Sequence, residues 1–281
     1  MKMDFIINKY LLIWYLLYES SISEGIHKLK QKLWRDHRKE YSLLHGDRDI
    51  ILKDLDNYIP DDDLIFNFVE SSDEYKKLKR ETNKYRLDLL RMWDQNKKLY
   101  LRELNKLLRD DFLSDYQVLV IHPSFDILET DLNDNTIIIG KKINANDKDN
   151  FLTYLIYKII KKTFSGIKTN DDDIVNAIIE LLITNELFTR VTKKSKYNLG
   201  KKSLREIKEK IYPYWLMYMG VEQSDMEKYM VRDNIFFNIS SYTYEDNLKN
   251  IDIFSFINFV LKNRRVILRK KIVPIEDIEI L

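Results

Sequence analysis

Residues 171–190 read "DDDIVNAIIELLITNELFTR" and combine a nearly continuous apolar surface with one central acid, Glu180. A helix that is apolar on almost every side is mostly buried. A buried carboxylate without a partner is costly. The sequence therefore predicts that Glu180 pairs with a cation or a metal ion, faces a water-filled cleft, or keeps its proton.

The composition restricts the class of protein around this helix. In 281 residues, 47 Lys and Arg nearly balance 45 Asp and Glu, which argues against a strong global field for nucleic acid or an anionic membrane. Only 6 Gly and 4 Pro favour long helices over many short strands. Cysteine is absent, which excludes disulfides and thiolate metal sites and fits a reducing cytoplasm, our predicted location.

The pattern divides the chain near residue 113. Residues 1–113 read as a helical N-terminal module containing a long helical hairpin. The segments "YQVLVIHP" (116–123) and "NTIIIGKK" (135–142) are rich in β-branched residues and predict two strands. We therefore expect a mainly α protein in which residues 114–281 form an α+β domain, with a small sheet and packed helices.

The apolar run from Tyr10 to Tyr18 is too short for a bilayer, which needs about 20 residues. It predicts a buried first helix, with a membrane-surface segment as the alternative. No other stretch resembles a transmembrane segment.

A long helix is predicted after the S-x-x-E capping box of Ser71 and Glu74. Residues along it alternate in steps of three and four, which favours packing along one stripe against residues 22–45, or else a coiled-coil dimer. The predicted stripe consists of Tyr75, Leu78, Thr82, Tyr85, Leu89, Met92, Asn96 and Leu99.

The order strand, strand, helix, and a further helix carrying glutamate resembles the core of gluzincin-type zinc metallopeptidases. In that family the first helix carries H-E-x-x-H, and the next helix supplies a glutamate ligand. Here the first helix reads "TYLIYK" (153–158), and no histidine follows His122. Only Glu180 or Glu186 matches the family pattern. The resemblance, over residues 115–220, implies a metallopeptidase-like scaffold that has lost its zinc, with no metal and no cofactor.

On such a scaffold we expect a non-catalytic binding or regulatory protein with a peptide or protein partner. The predicted groove comprises Tyr154, Tyr157, Lys158 and Glu180, and Lys158 is the predicted cation for Glu180. Glu186 lies four residues before Arg190, a spacing that predicts an ion pair on the helix surface.

Two other functions stay open. An enzyme of unfamiliar chemistry could use Glu180, His122 and a tyrosine, provided that they lie within hydrogen-bond reach. Nucleic acid could bind "LKNRRVILRKK" (261–271), although scattered acids and interleaved apolar residues favour an ordinary solvated face. The cations of that basic patch include Arg264, Arg265, Arg269, Lys270 and Lys271.

Overall fold

A computed structural model gives the fold as two compact units. Unit 1 comprises residues 1–96 and 113–148, and unit 2 comprises residues 97–112 and 149–281. The structure describes residues 1–18, 23–44, 64–110, 114–125, 135–140, 148–167, 169, 171–194, 201–232 and 243–268.

The predicted class, mainly α with a small sheet, is confirmed. The strands are β1 (Met3–Ile6), β2 (Tyr116–Val120) and β3 (Thr136–Ile139). The helices are α1 (Lys9–Tyr18), α2 (Glu24–Asp36), α3 (Arg38–Leu44), α4 (Leu64–Ser71), α5 (Asp73–Leu108), α6 (Lys148–Phe164), α7 (Asp172–Ile179), α8 (Phe188–Thr192), α9 (Arg205–Tyr218), α10 (Met226–Arg232), α11 (Ile253–Lys262) and α12 (Arg264–Ile267). A π-helical segment, Glu180–Leu187, lies between α7 and α8.

The three strands form a parallel sheet in the order β1-β2-β3, so β2 is central. β2 and β3 are the two predicted strands. Residues 1–113, predicted to be nearly all helical, also contain the short strand β1, where Met3 and Phe5 are buried and Asp4 is exposed. Four residues give too short an alternation to recognise, and the pairing that stabilises β1 is with residues more than a hundred positions away.

That pairing also places the sheet across the expected boundary at residue 113. β1 belongs to the predicted N-terminal module, whereas β2 and β3 follow the boundary. The two compact units consequently differ from the predicted domains 1–113 and 114–281.

Close packing within the sheet also explains Gly140, since a Cβ there would lie 2.5 Å from the Ile121 Cγ1 atom.

The core of unit 1 is built around α1, as the apolar run Tyr10–Tyr18 predicts. Every residue from Leu11 to Leu17 is buried. The same core includes Leu29 and Leu33 of α2 and Tyr75 at the start of α5. Among the described helices, none is both long and apolar enough to cross a membrane.

Helix α5 departs from the predicted stripe in its second half. The buried positions continue through Leu89 but then move by one residue, to Trp93 and Tyr100. Leu99 is exposed. The predicted 3.5-residue repeat is therefore wrong beyond Leu89, because an unsupercoiled α-helix drifts by about 20° per heptad from such a repeat.

The start of α5 also differs by one residue from the predicted capping box. The Ser72 hydroxyl, rather than that of Ser71, accepts a hydrogen bond from the Tyr75 amide at 3.2 Å. Ser71 is still the last residue of α4, so its backbone is helical and cannot serve as the cap.

Candidate functional site

The helix that contains Glu180 is buried, as its sequence predicts. α7, the π-helical segment and α8 follow one another without interruption from Asp172 to Thr192. The wider π turns begin at Glu180, which is 2% exposed. π-helical turns are rare and frequently occur at functional sites, which makes this buried carboxylate a candidate site residue.

Two groups from the following segment accommodate the Glu180 carboxylate. Its Oε1 accepts a hydrogen bond from the Lys201 amide at 2.9 Å. Its Oε2 lies 3.1 Å from Nζ of Lys208, which is itself 3% exposed. That short distance is not accompanied by hydrogen-bond alignment, because Oε2 has no aligned donor within the described residues. We therefore treat Glu180 and Lys208 as a buried ion pair with imperfect geometry.

The cation beside Glu180 is thus Lys208 of α9, and the prediction of Lys158 in this role was wrong. Lys158 lies on α6 with its ammonium 5.7 Å from the centre of the Tyr154 ring. Tyr154, Tyr157 and Lys158 are half-buried, but Glu180 has almost no surface to offer a ligand. The four residues therefore do not line one open groove. The Glu180 carboxylate has its cation and its hydrogen-bond donor, Lys208 and the Lys201 amide, within unit 2.

The secondary candidates on the same helix have an ordinary explanation. Glu186 Oε1 accepts a hydrogen bond from Arg190 Nε at 2.8 Å, which confirms the predicted pair. Arg190 also lies 3.9 Å from Glu103 of α5. These contacts describe a partly buried ion network within unit 2.

His122 belongs to unit 1, at the carboxyl end of the central strand. Its Nε2 lies 3.1 Å from Glu81 Oε2, and its Nδ1 shares a hydrogen bond with the Ser124 hydroxyl. His122 and Glu180 therefore each have partners within their own unit. Within the described ranges, no group of three His, Asp or Glu side chains could hold a metal ion.

The basic patch of residues 261–271 is only partly described. Arg264 Nε lies 2.8 Å from Asp171 Oδ2, so this cation is already paired with a carboxylate. Arg265 is exposed. Arg269, Lys270 and Lys271 lie outside the described residues.

A second site, which sequence reasoning missed, lies in unit 1. A cavity of about 930 Å³ is lined by one face of the first turns of α5 and by Ile7, the residue after β1. We call it the basic groove. Its described lining residues are Ile7, Asp73, Lys76, Lys79, Arg80, Asn83 and Arg86.

The charge in this groove is only partly compensated. Its described lining holds four cations and one carboxylate, in a chain whose net charge is +2. Lys76 lies 4.0 Å from Asp73, and Lys79 lies 3.8 Å from Glu70, both at the outer limit of an ion pair. Arg80 is exposed and has no ion pair within the described part of the chain. The groove therefore presents excess positive charge to solvent.

Arg86 differs from the other cations because it holds the groove together. Its Nη1 donates to the Phe5 carbonyl at 3.2 Å, and its Nε donates to Asn83 Oδ1 at 3.1 Å. The bond to Phe5 attaches α5 to β1, the strand that leads into Ile7, and the bond to Asn83, within α5, orients the guanidinium. The guanidinium thus fixes one wall of the groove relative to the other.

The sequence did contain a signal for this groove. The residues follow one another at steps of three, one, three and three, which places Lys76, Lys79, Arg80, Asn83 and Arg86 along one side of a helix. The opposite side carries the apolar stripe of the same helix. What the sequence could not show is that β1 forms the second wall.

No family model, curated protein or solved structure matches this chain. The gluzincin resemblance consequently stays a prediction that rests on element order and on Glu180 or Glu186. Any assignment of function must come from the chemistry of the two sites described above.

Proposed function

We propose that the protein is a non-catalytic binding protein and that it holds an anionic part of a peptide or protein partner in the basic groove. The observation that carries this proposal is the excess of cations over carboxylates in the described lining of a solvent-open cavity of about 930 Å³. The Lys76 and Lys79 side chains are 58% and 53% exposed, so their ammonium groups are accessible to a ligand.

The same residues argue for binding rather than catalysis. General acid–base or nucleophilic chemistry needs a proton acceptor within reach of the reacting group. The described lining offers ammonium, guanidinium and amide groups, with Asp73 as the single carboxylate. Such a set attracts and orients an anion, and has little means of activating a nucleophile.

The partner class is the one expected from the sequence, a peptide or protein. The proposed binding site is the basic groove of unit 1 instead of the predicted groove around Glu180. Glu180 is enclosed and paired with Lys208, so we interpret it as part of the framework of unit 2. A metallopeptidase-like scaffold, which is a prediction from the sequence, would be compatible with this binding role but is not required for it.

Charge reversal in the groove tests the proposal. Fluorescently labelled anionic probes, an oligoglutamate peptide and an oligothymidylate, are titrated with the protein at low ionic strength, and binding is followed by anisotropy. For Arg80→Glu we expect the oligoglutamate peptide to bind about tenfold more weakly than to the wild type, a loss of about 1.4 kcal/mol.

Lys84→Glu is the matched control, because Lys84 is exposed on the same helix but does not line the groove. It changes the net charge by the same amount and should leave the affinity nearly unchanged. Equal weakening by both substitutions, or the absence of binding to the oligoglutamate peptide, would contradict the proposed function.

A further inference from the structure

The cations of the basic groove form a line rather than a compact cluster. From Lys76 to Arg86 the helix advances by ten residues, or about 15 Å at a rise of about 1.5 Å per residue. Lys79 and Arg80 lie between these two ends. A single phosphate or carboxylate could contact only a fraction of such a line, so the arrangement favours an elongated anion.

Resting on the proposed function, we propose that the occupant is a short acidic segment in an extended conformation, with carboxylates at alternate positions. In an extended chain, alternate side chains point the same way and are separated by about 6.6 Å. Three such carboxylates span about 13 Å, which matches the length of the cation line. The remaining side chains of the segment face away from α5.

The composition of the groove favours an acidic peptide over single-stranded nucleic acid. Binding of single strands combines a basic channel with aromatic side chains on which bases stack. The described lining contains no aromatic residue, and Ile7 is its one apolar residue. Proteins that bind nucleic acid are also usually strongly basic, whereas this chain has a net charge of +2.

The two ends of the groove differ in charge, so the positions along it are not equally favourable for a carboxylate of the bound segment. Asp73 lies at the start of α5 and would repel a carboxylate placed against it. Arg80 lies nearer the middle and, within the described residues, is free of ion pairs. Arg86 is held by Phe5 and Asn83 through Nη1 and Nε. The strongest contact is therefore expected at Arg80, with weaker contacts to Lys76 and Lys79 at one end and to the Nη2 group of Arg86, which those two bonds leave unused, at the other.

Two labelled peptides of identical composition test the spacing. One has three glutamates alternating with serines, and the other has the same three glutamates in succession. Consecutive residues of an extended chain point to opposite sides, so the second peptide presents at most two carboxylates to α5. We expect the alternating peptide to bind about fivefold more tightly, the effect of one additional exposed ion pair. An oligothymidylate of equal charge is titrated in parallel.

The outcomes separate this inference from the proposed function. If the alternating peptide is preferred and Arg80→Glu removes that preference while Lys84→Glu does not, the inference is supported. If both peptides bind equally and depend on Arg80, the extended acidic segment is refuted while the proposed function stands. If the oligothymidylate binds more tightly than either peptide, the peptide occupant is refuted in both proposals. If no probe shows dependence on Arg80, both proposals fail.

Discussion

Removing one member of the Glu180–Lys208 pair should strongly destabilise unit 2. The two charges lie 3.1 Å apart, and both side chains are almost completely buried. At an effective dielectric constant of about 20, Coulomb's law gives an attraction of about 5 kcal/mol at that distance. The cost of desolvating both charges opposes this attraction, so the net contribution of the pair to the free energy of unfolding is small. A single substitution, however, leaves the other charge buried without its partner.

We therefore expect Glu180→Gln and Lys208→Met each to lower the free energy of unfolding by about 3–5 kcal/mol. The double substitution Glu180→Gln/Lys208→Met removes both charges and keeps an acceptor for the Lys201 amide. It should therefore be less destabilised than either single variant. The control is Glu186→Gln, which breaks the partly exposed pair with Arg190 and should cost less than about 1 kcal/mol.

Hydrogen exchange followed by mass spectrometry, recorded across a urea titration, measures these free energies locally. Peptides from residues 172–192 and 205–218 report on unit 2 separately from unit 1. A loss of local stability below about 1 kcal/mol in Glu180→Gln, well under the cost of an unpaired buried charge, would contradict this prediction. The prediction is equally refuted if the double variant loses the sum of the two single losses.

Further predictions concern Tyr75, which is buried, and Arg109, which is partly buried. The Tyr75 hydroxyl has no hydrogen-bond partner within the described residues, so Tyr75→Phe should raise the free energy of unfolding by about 1 kcal/mol in a urea titration at neutral pH. Burial, together with the charge of Glu70, raises the pKa of Tyr75 to about 12 from its ordinary 10.0. As pH rises, the unfolded chain therefore releases this proton before the folded protein does, so the free energy of unfolding falls between about pH 10 and pH 12. In the Tyr75→Phe variant the free energy of unfolding should fall less steeply over this range than in the wild type. An identical slope would contradict this prediction. Arg109, at φ 55°, donates to the carbonyls of Lys249, Ile251 and Tyr218 and covers the Tyr218 ring. Arg109→Lys should lower the free energy of unfolding by about 2 kcal/mol or more, because one ammonium group cannot replace the planar guanidinium that donates all three bonds. Amide hydrogen exchange in residues 243–262 should become faster. A change in the free energy of unfolding within about 0.5 kcal/mol would show that these bonds contribute little.

Patterns local to the chain were sufficient for much of the fold. The apolar surface of residues 171–190 predicted a buried helix, and the β-branched runs predicted β2 and β3. The i, i+4 spacing of Glu186 and Arg190 predicted their ion pair. In each case, the periodicity of a single helix or strand fixes which residues share a face.

The sequence also identified Glu180 as a buried acid that needs a partner, but it assigned the wrong lysine. Lys158 and Lys208 both lie on helices near the expected site in the chain, and nothing in their local sequence distinguishes them. Which ammonium reaches the carboxylate depends on how α9 packs on α7 and on the backbone of Lys201, which binds the other oxygen.

Long-range contacts account for what the sequence did not reveal. The strand β1 exists because Met3–Ile6 pairs with β2, and the basic groove exists because Arg86 of α5 binds the Phe5 carbonyl of that strand. Side-chain type and spacing set the chemistry that each element carries, since both are written in the local sequence. The meeting of two walls around a cavity depends on contacts between residues far apart in the chain, and no local pattern encodes those contacts.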